Sequence, residues 1–341
     1  MEVQVFLDGS HVVLTGVAVV RGTARVKAFG SAVIEASGQA MVWAYGNVRV
    51  TAAGDAKVRA FDLVKVEACD RAAVEARGHV EVVAAGNVTV RAAEFAAVFA
   101  SGRVAVRASG RAKVTVSGEA ALTATGDVEV QAFGHSHTKI RGAGRVRAQG
   151  WASIDAAGRV SVEAAGSSTV QAAGRVRLTA CDTVTVIAVG DVTVTASGKV
   201  SVKASARASV DASGDASVTA SGLAQVKACG RATVMASGRV AVHVCGEAKV
   251  HASEGAGIHA CGSAQVYMRD RAAVWSRENV QVWAYGGHVW ANGCSDVFAT
   301  GKTKVWADDE TTLTVAGGAE FFKCSPTALI FYTDKAGEPK R

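Results

Sequence analysis

Residues 208–238 read Ala208-Ser-Val-Asp-Ala-Ser-Gly214-Asp-Ala-Ser-Val-Thr-Ala-Ser-Gly222-Leu-Ala-Gln-Val-Lys-Ala-Cys-Gly230-Arg-Ala-Thr-Val-Met-Ala-Ser-Gly238. Glycine returns every eighth residue, preceded each time by Ala-x-Val-x-Ala-x. Followed in both directions, this frame is unbroken from Gly22 to Gly286, a run of 34 octads. Twenty-six of the 34 frame positions are Gly, and four of the remaining eight are Asp: Asp62, Asp70, Asp182 and Asp270. Gly and Asp are residue types that tolerate a left-handed backbone. Self-similarity at a fixed short period identifies a solenoid, in which each repeat buries its apolar face against its neighbours. Length alone would suggest two domains; the period overrides that and predicts one.

Within the octad, the fourth residue after the frame is Val in 27 of 33 cases between Val26 and Val282, and the sixth is Ala in 28 of 33. Arg, Lys, Glu, Thr, Ser and Gln stand between them. That alternation has the period of a strand with one face inward, and the density of Gly and β-branched residues excludes helix. Each octad therefore reads as a five-residue strand and a three-residue turn centred on the frame residue.

The fold class expected is all-β: a parallel β-solenoid (β-helix) with two octads per coil. Just before the frame, Cys229, Cys245 and Cys261 alternate with Ser221, Ser237 and Ser253, and Phe29, Tyr45 and Phe61 recur at the same lag of two octads. Like residues then stack once per coil. A three-sided coil of three octads is the alternative; lined by Ala and Val, it would leave its axis unfilled. At about 4.8 Å per coil, the two-sided array would form a flattened rod on the order of 80 Å long.

Open strand edges need cover, and the pattern departs from its period at both ends. Residues 1–21, with irregularly spaced Val3, Val5, Leu7, Val12, Val13 and Leu14, are expected to cap the start. The solenoid is expected over 22–317, with the frame slipping by one after Gly286 and continuing through Gly293, Gly301, Asp309 and Gly317. A C-terminal cap and polar tail are expected over 318–341, with Phe321, Phe322, Leu329, Ile330, Phe331 and Tyr332. One internal irregularity, Gly134 to Gly144, replaces the inward Val by Thr138 and the next Ala by Ile140. It reads as a local bulge or repacking.

The consensus Ala/Val-x-Val-x-Ala-x-Gly/Asp, clear in Ala208 to Gly214 and Ala232 to Gly238, resembles the octapeptide-repeat β-solenoid proteins of bacteria and their phages, a largely uncharacterised group. The resemblance covers nearly the whole chain and implies architecture, not activity. Paired octads are also similar to bacterial ice-nucleation proteins, but the Thr-x-Thr and Tyr ladders implied there are missing; Thr183, Thr185, Thr193 and Thr195 are a local echo. Bactofilins, polymerising β-helix proteins of the cytoskeleton, are similar in kind with a less regular repeat.

A net charge of +7, with Arg and Lys interleaved among Asp and Glu, lacks the one-signed stripe of a nucleic-acid footprint, so nucleic acid is not an expected partner. No membrane association is expected: the longest apolar stretch, around Val12 to Val20, is broken by Thr15 and Gly16 and ends at Arg21. Seven cysteines, an odd count, together with a start lacking a secretory pattern, point to a reducing cytoplasm and free thiols.

The outward position three before the frame carries His243, His251 and His259, then Tyr267, Trp275, Trp283, Trp290, Phe298 and Trp306. On a two-octad coil this run splits into one ladder of Tyr267, Trp283 and Phe298 and another of Trp275, Trp290 and Trp306. Outward rings in such number point to a partner surface, through self-association, another protein, or stacking on carbohydrate. The plainer reading is that stacked rings stiffen the array. His243, Cys245, His259 and Cys261 share one face and offer a zinc ligand set, although the flat rectangle must pucker to become tetrahedral. Structural zinc is the only cofactor these residues suggest. A disulfide along Cys229, Cys245 and Cys261 is sterically allowed but not expected in a reducing cell.

No residue set calls for catalysis. Gly301-Lys302-Thr303 ends like a phosphate-binding loop, yet Asp296 stands where the first Gly belongs. Asp308, Asp309 and Glu310 read as a solvated turn, and no insertion walls a cleft. The expectation is a non-enzymatic structural scaffold that associates through its aromatic C-terminal third, with a carbohydrate or ice-binding module and a bactofilin-like filament as alternatives.

Overall fold

A computed structural model describes residues 3–323 and 325–333, and the side chain of Lys323 is not among them. The chain is all-β, and its strands are joined in parallel, in-register ladders. Arg25–Ala28 pairs with Met41–Tyr45, so that Val26 faces Val42 and Ala28 faces Ala44, two octads on. The intervening strand, Val33–Ala36, pairs with Arg49–Ala52 in the same register. Two ladders thus alternate along the chain. The two-octad coil is the observed one, and the three-sided alternative is excluded because no ladder among the described residues has a three-octad step.

Chain contacts divide it into two compact units, Met1–Val170 and Gln171–Arg341. In each, the alternation decides the interior. Val and Ala of positions two, four and six are buried, as for Ala56, Val58 and Ala60 in the first unit and Ala232, Val234 and Ala236 in the second. The residues between them face solvent. Burying a Val side chain contributes about 1.5–3 kcal/mol, so a narrow core suffices because the coil repeats it.

Every frame residue from Gly22 to Gly286 has positive φ, including all eight that are not Gly. Asp62, Asp70, Asp182 and Asp270 lie at φ between 60 and 69°, and Glu94, Ala206, Glu254 and Glu278 between 58 and 66°. Seven of these eight are acidic, and Asp70 and Glu278 show what the acid does. The Asp70 carboxylate accepts a hydrogen bond from the Gly54 N–H at 3.0 Å, and Glu278 from the Gly262 N–H at 2.8 Å, each one coil earlier. The acid thereby satisfies a turn N–H of the preceding coil and offsets part of the cost of its own left-handed backbone, about 1–2 kcal/mol.

The interleaved charges resolve into rung-to-rung ion pairs. Arg71 meets Asp55 at 2.9 Å, Lys65 meets Glu81 at 3.0 Å and Arg231 meets Asp215 at 2.9 Å, each pair one coil apart. Exposed pairs of this kind contribute about 0–1 kcal/mol each. Their effect is on register: a slip by one residue would separate every pair.

The irregular segments keep the ladder. At the start, Val3–Phe6 pairs with Val17–Val20 and Ser10–Val13 with Arg25–Ala28, steps that fall short of two octads by two residues and by one. At the end, Thr312–Val315 pairs with Leu329–Tyr332, one residue more than two octads. Where described, the segments expected as caps carry further strands of the same ladders, some at the two-octad step and some off it. The tail beyond Thr333 lies outside the described residues, as does Cys324.

The frame slip after Gly286 shortens one step in each ladder by a single residue, and Trp275 still faces Trp290 and Trp283 faces Phe298. The missing residue is absorbed at Gly287, where φ is 80° and a Cβ would collide with the Ala272 carbonyl and the Met268 methyl.

Around the expected bulge, strands Ala121–Gly134, His137–Gly150 and Ser153–Ala164 run straight through their frame glycines. Thr138 is buried between Leu122 and Ile154 in its ladder, and Gly144 takes an inward place usually held by Ala or Val. The repacking shifts volume from Thr138 and Gly144 to Leu122, Ile140 and Ile154. It leaves the hydroxyls of Ser136 and Thr138 buried without a protein partner.

Candidate functional site

The aromatic run lies in the second unit and splits between the two ladders as its spacing implies. On one, His243, His259, Trp275, Trp290, Trp306 and Phe322 form a continuous stack. Successive centroids are 4.9, 4.8, 4.8, 5.0 and 5.0 Å apart, and no interplanar angle exceeds 13°. On the other, His251 stacks on Tyr267 at 4.9 Å and Tyr267 on Trp283 at 4.5 Å, while Phe298 faces Trp283 across the strand pair.

The cause is the register. Strand spacing fixes the rungs about 4.8 Å apart, close to the separation of offset-stacked rings. Each inner ring therefore has both faces covered by neighbours, and it is the ring edges that meet solvent. Trp275 is the most open of the tryptophans in the stack, at 38%.

Some of these rings are easily passed over in the sequence. Phe322 resembles part of an irregular terminus, and the histidines resemble candidate ligands. Counting two octads onward from Trp306, or backward from Trp275, identifies all of them.

Beside the six-ring stack runs a groove of 690 Å³. One wall is the ring ladder. The other is the ladder just before the frame, with Cys229, Cys245, Cys261, Arg277, Asn292 and Asp308, and the floor includes Val244, Ala260, Ser276 and Ala291. Burial, reinforced by His243 and then Arg277, lowers the pKa of His259 from the ordinary histidine value. Its ring is therefore neutral at neutral pH.

His243, Cys245, His259 and Cys261 occupy the expected common face, but they do not converge. The two imidazoles stack on each other, and Cys245 is joined to Cys229 in a disulfide with Cα atoms 4.8 Å apart. Among the described residues, no group of three or more His, Cys, Asp or Glu side chains is placed to hold a metal ion. The expectation of free thiols is likewise overturned at Cys229 and Cys245: in-register stacking brings two cysteines within disulfide reach without any turn or loop. Cys261 remains a thiol one rung on, donating to the Val244 carbonyl at 3.4 Å.

The remaining motifs stay apart from the groove or serve turns. Asp309 takes a frame role, its carboxylate accepting from the Gly293 N–H at 3.3 Å, and Glu310 accepts from the Cys294 thiol at 3.5 Å, which raises the pKa of that thiol. Gly301 to Thr303 is a turn in which Thr303, buried, donates to the Thr300 carbonyl at 2.7 Å. Among the described residues, no helix is long and apolar enough to cross a membrane.

Comparison of the chain with protein-family models, with curated proteins and with solved structures found no match.

Proposed function

We propose that the chain is a non-catalytic structural scaffold, in the manner of the octapeptide-repeat solenoids it resembles, and that it associates through Tyr267, Trp275, Trp283, Trp290, Phe298 and Trp306. The observation that carries this reading is, along Trp275, Trp290 and Trp306, the juxtaposition of a row of ring edges and a parallel groove on one face of the second unit. Ridge and groove on the same surface are self-complementary. A two-fold axis lying in that face, parallel to the ridge and between it and the groove, would lay each copy's ridge into the other's groove, the reciprocal contact that closed dimers require. A second copy is therefore the occupant to test first.

Nothing in the geometry favours carbohydrate. Sugar rings stack on aromatic faces, and here the faces of the inner rings are covered by one another at 4.5–5.0 Å. The bactofilin-like alternative draws on a different observation: Val3, Val5, Leu7, Val12 and Leu14 are exposed in the first coils of one unit, and Leu329, Phe331 and Tyr332 in the last coils of the other. Exposed apolar residues beside unpaired strand edges favour addition of further strands.

The test is light scattering on the wild type and on the triple variant Trp275→Ser, Trp283→Ser and Trp290→Ser, with far-UV circular dichroism to verify that the coil persists. Docking through the rings predicts a fall in mass for a folded variant. An unchanged mass refutes it, and a variant that assembles until Val5 and Leu7 become Lys favours the end-on reading.

A further inference from the structure

Cys229, Cys245 and Cys261 stand on three successive rungs at the same outward position. The ladder carries them in register: the Cys245 N–H donates to the Ala228 carbonyl and the Cys261 N–H to the Val244 carbonyl, both at 3.0 Å. All three line the groove beside the ring stack. The first two share a disulfide, and the third, a thiol, leans toward the coil that holds the second.

Thiol–disulfide exchange proceeds by attack of a thiolate along the axis of an existing disulfide, with the attacking, central and leaving sulfurs on one line. A ladder of identical positions spaced by one rung supplies that line. We propose that these residues form a disulfide-exchange site in which the bond migrates between Cys229–Cys245 and Cys245–Cys261. The Cys261 thiol loses its proton and its thiolate attacks the Cys245 sulfur. The Cys245–Cys261 bond forms as the Cys229–Cys245 bond breaks, and Cys229 leaves as a thiolate that takes up a proton. One thiol and one disulfide stand on each side, so no oxidant or reductant is consumed.

Neutral His259 lies on the same outward face two residues before Cys261, about 7 Å along the strand, where a bridging water could relay the departing proton. His243 is placed likewise before Cys245. Migration moves the reactive thiol two rungs along the groove, about 9.6 Å, from beside His259 to beside Lys227. The groove thus exposes a thiol at either of two places, each accessible to a small thiol or disulfide from solution.

The protein lends itself to a direct test, because trypsin cleavage after Lys227, Arg231, Arg239, Lys249 and Arg269 leaves the three cysteines on different peptides. Protein purified without reductant is incubated with a glutathione redox buffer, quenched in acid, alkylated with N-ethylmaleimide in denaturant, digested and mapped by mass spectrometry. Both linked pairs are expected, each at no less than about a tenth of the total, because the two rungs have equivalent geometry. Cys261 alkylated quantitatively at every time point, or all three cysteines reduced in oxidised glutathione, overturns the proposal.

Two variants separate geometry from folding. Cys229→Ser is expected to relocate the bond to Cys245–Cys261, and two free thiols there refute migration. Cys245→Ser is expected to leave Cys229 and Cys261 both alkylated, since two rungs exceed the reach of a disulfide, about 7 Å between Cα atoms. A Cys229–Cys261 bond in that variant would show that the ladder is not rigid enough for the proposed line. All three side chains are outward and only partly buried, so the core is unchanged by either substitution.

Discussion

Replacing Trp290 by Ala removes the centre of the six-ring stack. Trp290 lies 4.8 Å from Trp275 and 5.0 Å from Trp306, centroid to centroid. Each stacked aromatic pair contributes about 0.5–1.5 kcal/mol beyond the area it buries, so the loss of both amounts to about 1–3 kcal/mol, or about a 5- to 150-fold change in a local equilibrium. In a repeat architecture each coil is held by its neighbours, so this loss should remain local. Global melting is the wrong assay, because a long repeat array need not unfold in two states. Native-state hydrogen exchange is the right one. Amides of His288–Ala291 and of its partners Ala273–Ser276 and Lys304–Ala307 should exchange about 5- to 150-fold faster, while Arg25–Ala28 and Met41–Tyr45 in the other unit keep their protection. Trp151 supplies the scale: it is 63% exposed and stacks on His135 at 5.0 Å. Trp151→Ala should therefore cost one pair, about 0.5–1.5 kcal/mol. Unchanged protection around Trp290, or an effect no larger than that at Trp151, refutes the stacking account. Loosened coils in a variant of unchanged mass would make the rings internal struts and remove the basis for docking.

Ala206 sits at φ 61° and has no side-chain acceptor of the kind that Asp70 and Glu278 use, so Ala206→Gly should stabilise the second unit by up to about 1 kcal/mol, read as a higher urea midpoint. Gly287→Ala and Gly16→Ala make a pair: both positions have positive φ, but nothing lies within 4 Å of a Cβ at Gly16, whereas one at Gly287 strikes the Ala272 carbonyl. The Gly16 variant should lose about 1–2 kcal/mol of stability to backbone strain, and the Gly287 variant distinctly more, with equal losses counting against the turn geometry. For His259, burial, His243 and Arg277 favour the neutral ring in the folded chain. The unfolded chain then binds more protons as pH falls through the ordinary histidine value, so the stability of these coils is full above that value and declines below it. His259→Gln should flatten the decline on acidification through the ordinary histidine range in exchange experiments; an unaltered profile would place its origin elsewhere.

Several tertiary relations were already present in the sequence as lags of two octads. Asp55 and Arg71, Lys65 and Glu81, and Asp215 and Arg231 are opposite charges one coil apart, a signal of coil size independent of the stacked cysteines and aromatics. Phe322 follows Trp306 by the same lag, yet its irregular surroundings resemble a cap. The terminal segments were less legible because coils shorter or longer than two octads keep their register while breaking the count. The strand pairing tolerates a longer or shorter turn, whereas a periodicity in sequence does not.

By itself, the sequence determined what is local and repeated: strands that alternate inward and outward, turns needing a left-handed residue every eighth position, and a core of Ala and Val. These follow from the pleat and from backbone sterics, which act within one octad. Only the tertiary structure decided what arises between coils. It placed ring faces against one another so that edges meet solvent, turned a supposed ligand into half of a disulfide, and opened a groove between two outward ladders. Those outcomes depend on distances of about 5 Å between residues one coil apart, set by the hydrogen-bond spacing of parallel strands.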